Sequence, residues 1–293
     1  MPDFDAVPVL DFNLRIPDRL AFLTQLRYAL LNVGFLYLVN HPVDINLIHN
    51  IVNTHVPALF ALPQGEKDRI RMPNSPHFLG YSRLGAEITK GAVDYREQFD
   101  IATDHVCRWS GPTDPDYYRL WGPSQVGYAP SKYANTHQQP QWPDEACIPG
   151  FKADFRRYLD QVTQLSYDFS SLIAEALGLP PDGLSRFYDE PPLMQHRAKI
   201  VKYPVVQDHT QGVGPHYDAG FLTFVSMRRS FYLGSNFDHH QFIHAQLLQA
   251  SPHRGLQVQN LAGDWIDAPP VPGSFVVNFG KGAGARQHDA TLI

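Results

Sequence analysis

Hydrophobic residues change their spacing along the chain, and each spacing predicts a different kind of element. Val7-Pro8-Val9-Leu10-Asp11-Phe12 reads as a short edge strand, a place where a proline without an N–H is tolerated. Pro17-Asp18 then opens a helix, because Phe22, Leu26, Ala29, Leu30 and Val33 recur at helical intervals. Gly34 ends it, and the unbroken apolar run Phe35-Leu36-Tyr37-Leu38-Val39 predicts a buried strand. Helical spacing returns over 45–60, with Ile48, Val52, Val56 and Leu59 on one face. Residues 62–92 hold Pro63, Pro73, Pro76 and several glycines, so loops are expected there. The longest helix is expected over 151–177, with the stripe Phe155, Tyr158, Val162, Leu165, Phe169, Leu172, Ile173 and Leu177. Gly178-Leu179-Pro180-Pro181 stops it. Beyond 190 the period shortens: β-prone runs at 198–203, 220–225, 255–259 and 274–279 alternate with turns, which predicts a sandwich or jelly roll. The fold class is therefore α+β.

Composition narrows the function more than the fold. The chain has 293 residues, 43% of them hydrophobic and 18% charged, as an ordinary globular protein does. A net charge of −5 argues against a nucleic-acid or anionic-membrane surface. Only Cys107 and Cys147 are present, so no disulfide framework is implied. The start, Met1-Pro2-Asp3-Phe4-Asp5, lacks the basic and apolar regions of a signal peptide. The longest apolar run, over 29–39, contains Asn32 and is too short for a membrane span. A cytoplasmic location is the expectation.

Chemistry concentrates in Gly214-Pro215-His216-Tyr217-Asp218-Ala219-Gly220-Phe221-Leu222-Thr223. Side chains at i and i+2 of a strand leave the same face, so His216 and Asp218 can grip one metal ion. One imidazole and one carboxylate are two thirds of the facial triad of non-haem Fe(II) oxygenases. The spacing alone carries no weight in a chain with 14 histidines; a satisfied surface pair would look the same. His41, at the end of an expected strand, reads as structural.

The surrounding blocks add weight. They are Gly34-Phe35-Leu36-Tyr37-Leu38-Val39-Asn40-His41, the run Gly91-Ala92-Val93-Asp94-Tyr95-Arg96-Glu97-Gln98-Phe99-Asp100, Val201-Lys202-Tyr203-Pro204, and Pro272-Gly273-Ser274-Phe275-Val276-Val277-Asn278-Phe279-Gly280. On these blocks and the His-x-Asp segment, in this order, the chain resembles the isopenicillin N synthase-like Fe(II)/2-oxoglutarate-dependent dioxygenases. The resemblance implies a double-stranded β-helix (jelly roll) with N-terminal and central helices. It divides the chain into a dioxygenase N-terminal region (1–125), an insert with the long helix (126–189) and the jelly-roll domain (190–293). It implies that His216 and Asp218 are the first two iron ligands and that Tyr203 contacts 2-oxoglutarate. It also implies a monomer using Fe(II), O2 and 2-oxoglutarate to oxidise a small organic molecule, with no nucleic-acid or membrane partner.

The chain departs from that pattern in three places. Family members carry a distal histidine and then an Arg-x-Ser beyond the segment matching Asn278-Phe279-Gly280; His288 comes earlier than that spacing, and no Arg-x-Ser follows it. The jelly roll is accordingly expected to be truncated after about residue 280, and the activity to be in question. Residues 126–139 and 225–246 interrupt family-like runs, as retained introns would; the alternative for 225–246 is an active-site loop carrying His239, His240 and His244. A catalytically inactive relative or binding protein, and a different metal-dependent jelly-roll enzyme, stay open beside the dioxygenase.

Overall fold

The computed structural model describes residues 4–74, 79–103, 142–188, 194, 196–204, 212–216, 218, 220–229, 241–245, 247–250, 256–280 and 290–292, with 227–229, 241–245, 247–250 and 290–292 by backbone alone. Strand β1 (Val9–Asp11) leads into helix α1 (Arg19–Tyr28), capped by Asp18, whose carboxylate accepts from the Ala21 N–H at 3.0 Å. The helix loosens into a π turn at Ala29–Val33 and stops at Gly34, whose φ of 80° lies in the left-handed region. Strand β2 (Phe35–Val39) follows as the apolar run predicted.

The single helix expected over 45–60 is instead α2 (Ile45–Asn50), a π turn (Ile51–His55) and α3 (Val56–Ala61). The cause is Pro57: it offers no N–H for an intrahelical bond, and the widened turn lies just before it. A short α4 (Gln64–Arg69) precedes strands β3 (Gly80–Ser82), β4 (Ile88–Thr89), β5 (Ala92–Val93) and β6 (Glu97–Ala102). Helix α5 (Phe151–Ala176) buries the expected stripe and ends at Gly178, φ 79°. Among the described residues no helix is long and apolar enough to cross a membrane.

The later strands are β7 (Arg197–Pro204), β8 (Val213–His216), β9 (Leu222–Arg229), β10 (Gln241–Ala245), β11 (Leu247–Ala250), β12 (Leu256–Gln259), β13 (Trp265–Asp267), β14 (Phe275–Phe279) and β15 (Ala290–Leu292). They form a five-stranded sheet in the order β1-β2-β14-β9-β11 and two four-stranded sheets, β10-β7-β6-β3 and β13-β12-β15-β8. Strands from both ends of the sequence share sheets: β2 pairs with β14, and β6 with β7. Strand β9 runs through Val225 to Arg229, and 241–245 pairs with β7. The stretch 225–246 is thus strand at both ends; 126–139, His239, His240 and His288 lie outside the described residues.

Alternation along the strands creates two cores. On one face of the five-stranded sheet Leu36, Leu38, Phe275, Val277 and Phe224 pack against α1 and α5, with Phe169 of α5 edge-on to Phe224 at 6.1 Å. On the opposite face Phe35, Tyr37, Val276 and Val225 meet Val201 and Tyr203 of β7, Val213 of β8 and Val258 of β12. That second core is the jelly-roll interior. Asn278 and Thr223, two residues along from Val276 and Val225, belong to the same inward face and are buried there.

Candidate metal and cosubstrate centre

His216 ends β8, and Asp218 follows it at the mouth of the interior. The Gly214 carbonyl lies 2.9 Å from His216 Nδ1. A carbonyl only accepts, so Nδ1 holds the proton and Nε2 presents its lone pair. Across from it, Asn278 Nδ2 donates to Asp218 Oδ2 at 2.8 Å, which leaves Oδ1 as the outward oxygen. The two atoms left over, His216 Nε2 and Asp218 Oδ1, face each other at 3.8 Å. Strand β8 stops at His216, so Asp218 is brought beside it from just beyond the strand and not by the strand period, and backbone and Asn278 select the atoms that face each other.

Gly280 explains how Asn278 reaches Asp218. A Cβ at Gly280 would sit 2.2 Å from the Gly220 carbonyl oxygen and 2.8 Å from that of Asp218. Only glycine lets the end of β14 press against the 218–220 backbone so closely. The Gly280 N–H donates to the Phe221 carbonyl at 3.1 Å and pins the approach.

Tyr203 is buried in the interior, its ring lying over Gly212, where a Cβ would come within 2.4 Å of the ring. Arg96 Nη1 donates to the Tyr203 hydroxyl at 3.4 Å. Burial pushes that hydroxyl up to about 12, against the pull of Arg96, so it stays protonated. Arg96 is itself held by Glu87 at 2.8 Å and Asp94 at 2.9 Å, while Thr89 Oγ1 donates to Asp94 at 2.9 Å. The Tyr95 N–H donates to the Gly212 carbonyl at 2.9 Å, joining this cluster to the approach of β8.

A third ligand is not in view: among the described residues no group of three His, Cys, Asp or Glu side chains could hold a metal. His41 lies apart, its ring 4.3 Å from that of Phe275 and its pKa pushed down to about 4 by burial, so it is neutral. Sequence reading missed the part played by Arg96, Gln98 and Asp100. Their signal was the alternation in Glu97-Gln98-Phe99-Asp100-Ile101, which marks a strand with one polar face.

Comparison with known proteins follows the same outline. The profile of the family described as non-haem dioxygenase in morphine synthesis, N-terminal, matches residues 7–145. A 2-oxoglutarate-dependent dioxygenase, frbJ, from Dothideomycetidae sp. (strain 11243) is 43% identical over 99% of this chain and 68% of its own length. A 2-oxoglutarate-dependent dioxygenase of Gibberella zeae is 33% identical over 95% of this chain, which spans 64% of that protein. A Neurospora crassa structure in complex with alpha-KG and thymine superposes with a TM-score of 0.69 at 19% identity, over 100% of this chain and 81% of that one. At that identity the superposition shows the shared fold.

Proposed function

The chain belongs to the 2-oxoglutarate-dependent dioxygenase family, and from that premise we propose that it binds Fe(II) through His216 Nε2 and Asp218 Oδ1 and oxidises a small organic molecule with O2 and 2-oxoglutarate. The observation that carries the reading is the pair of open donor atoms. Two ligands at about 2.1 Å and a right angle stand about 3 Å apart, so the 3.8 Å gap closes on one cation with little movement. An imidazole nitrogen and a carboxylate oxygen are the donors a non-haem iron site uses. When bound, the iron and 2-oxoglutarate supply an oxidant, with the cosubstrate leaving as succinate and CO2.

The chain's own residues do the positioning. Gly214 fixes the His216 tautomer and Asn278 the rotation of Asp218. Tyr203 accepts from Arg96, and in this reading its hydroxyl also meets a cosubstrate carboxylate. Apolar Val201, Val225 and Val276 beside it keep the interior dry. The reading calls for a third ligand outside the described residues.

A second reading, a relative that keeps the fold without turnover, draws on one observation: among the described residues no third metal-binding side chain joins His216 and Asp218. Anaerobic addition of Fe(II) and 2-oxoglutarate separates the two. The expected result is the visible charge-transfer band of the ternary complex, lost in His216→Ala. Folded protein with no band removes the first reading.

A further inference from the structure

Strand β7 brings Tyr203 into the interior, and the approach to β8 passes directly beneath its ring. A Cβ on Gly212 would stand 2.4 Å from Tyr203 Cδ1 and 2.8 Å from Cε1. Carbon atoms settle about 3.5–4.0 Å apart, so a side chain at 212 would push the ring back by about 1 Å. Neither partner yields that much. Tyr203 is buried in one core with Val201, Val225 and Val276, and such interiors leave few voids to absorb a displaced ring. Gly212 is fixed as well. Its carbonyl accepts from the Tyr95 N–H at 2.9 Å, and Val213, the next residue, is 1% exposed.

The segment that pins Gly212 also holds the other end of the same ring. Arg96, next to Tyr95, donates from Nη1 to the Tyr203 oxygen at 3.4 Å. Its Nη2 is taken by Glu87 at 2.8 Å and Asp94 at 2.9 Å, so the guanidinium cannot swing aside without leaving two carboxylates behind. The β4–β5 hairpin completes the hold. Thr89 Oγ1 donates to Asp94 at 2.9 Å, and Thr89 Cγ2 lies 3.4 Å from where a Cβ on Gly214 would be, two residues before His216. Residues 87–96 thus grip Tyr203 twice, at the ring through Gly212 and at the oxygen through Arg96.

We propose that Gly212 and Arg96 are positioning residues of the cosubstrate site: together they set where the Tyr203 hydroxyl stands, and so how tightly 2-oxoglutarate is held. Their role rests on the dioxygenase reading of the interior and extends it to two residues that act through Tyr203. An O–H···O⁻ hydrogen bond spans about 2.5–2.7 Å, so a hydroxyl displaced by about 1 Å no longer makes it. The effect is selective. The clash at 212 falls on the ring, and it leaves in place the Gly214 carbonyl and Asn278, which orient His216 and Asp218.

Anaerobic titration of the Fe(II)-loaded whole chain with 2-oxoglutarate, read by the charge-transfer band, measures the effect. Gly212→Ala and Arg96→Lys are each expected to raise the half-saturating concentration about tenfold or more, the size of one hydrogen bond to a charged group. Binding of Mn(II) alone, followed by its EPR signal, should stay as in the parent. In a Tyr203→Phe background, which has no hydroxyl to misplace, neither substitution should cost anything further. A merely structural role would not give that pattern. Arg96→Lys keeps a positive charge for Glu87 and Asp94, and carries the test should Gly212→Ala misfold. An unchanged half-saturation in either folded variant, a loss that persists in the Tyr203→Phe background, or a parallel loss of Mn(II) binding overturns this role. A parent chain with no band removes the dioxygenase reading and the role together, whereas a parent band with variants that titrate like the parent removes the role alone.

Discussion

The two faces of β6 bury comparable charge and treat it in opposite ways. Toward the helices, Glu97 is enclosed by Lys202 at 2.7 Å, Lys67 at 3.2 Å and the Tyr81 hydroxyl at 2.7 Å. Burial opposes its ionisation, yet those partners outweigh it and hold the carboxyl below its ordinary value. Toward the interior, Asp100 shares one amide with Glu87, and its carboxyl is raised. A buried carboxylate with its donors in place is structure. Asp100 has the Gln98 amide and Lys199, 3.7 Å away and a third exposed, and these do not offset its burial. The difference lies in how well each face compensates a buried charge.

The largest effect that probes this contrast is on stability. Glu97→Ala leaves Lys67 and Lys202 buried without a counter-charge, and should destabilise the fold by about 3–5 kcal/mol in urea unfolding. A loss near zero would mean that the two faces are not different in kind. Next comes the metal centre. Asn278→Ala frees Asp218 Oδ2 to rotate and should weaken divalent-metal binding about 10–100-fold with little change in melting temperature. Loss of fold in place of affinity would make Asn278 a packing residue.

The pH dependence should split the faces by sign. Glu97, with its lowered carboxyl, contributes stability that is present above the unfolded value of about 4.3 and lost as pH falls below it. Asp100, raised, contributes stability present below about 3.9 and lost as pH rises. At pH 7 Glu97→Gln should therefore melt below the parent and Asp100→Asn above it, with both gaps closing in acid. Shifts of the same sign would erase the distinction. The smallest effect calibrates the set: Arg19 pairs with Glu175 in the open, and Arg19→Ala should move stability by less than about 1 kcal/mol.

Much of this architecture was legible beforehand, and the residues show why. Helices α1 and α5 announced themselves because a 3.6-residue stripe needs only local sequence, with Asp18, Gly34 and Gly178 marking ends. His216 and Asp218 were legible as a His-x-Asp pair, although β8 ends at His216 and Asp218 lies just beyond it. The Arg96–Tyr203 and Asn278–Asp218 contacts were not, since they join residues 107 and 60 positions apart. The break at Pro57 was misread because apolar periodicity counts side chains and ignores a missing N–H.

By itself the sequence determined the donor types, His216 and Asp218, the tyrosine at 203 and the alternation of β6, because periodicity and side-chain chemistry are local properties. Only the tertiary structure decided which atoms of those residues are engaged, and by what. The Gly214 carbonyl takes His216 Nδ1, Asn278 takes Asp218 Oδ2, and Arg96 donates to the Tyr203 hydroxyl. Those choices depend on hydrogen bonds between strands distant in sequence, and on a close approach that glycine at 280 alone permits.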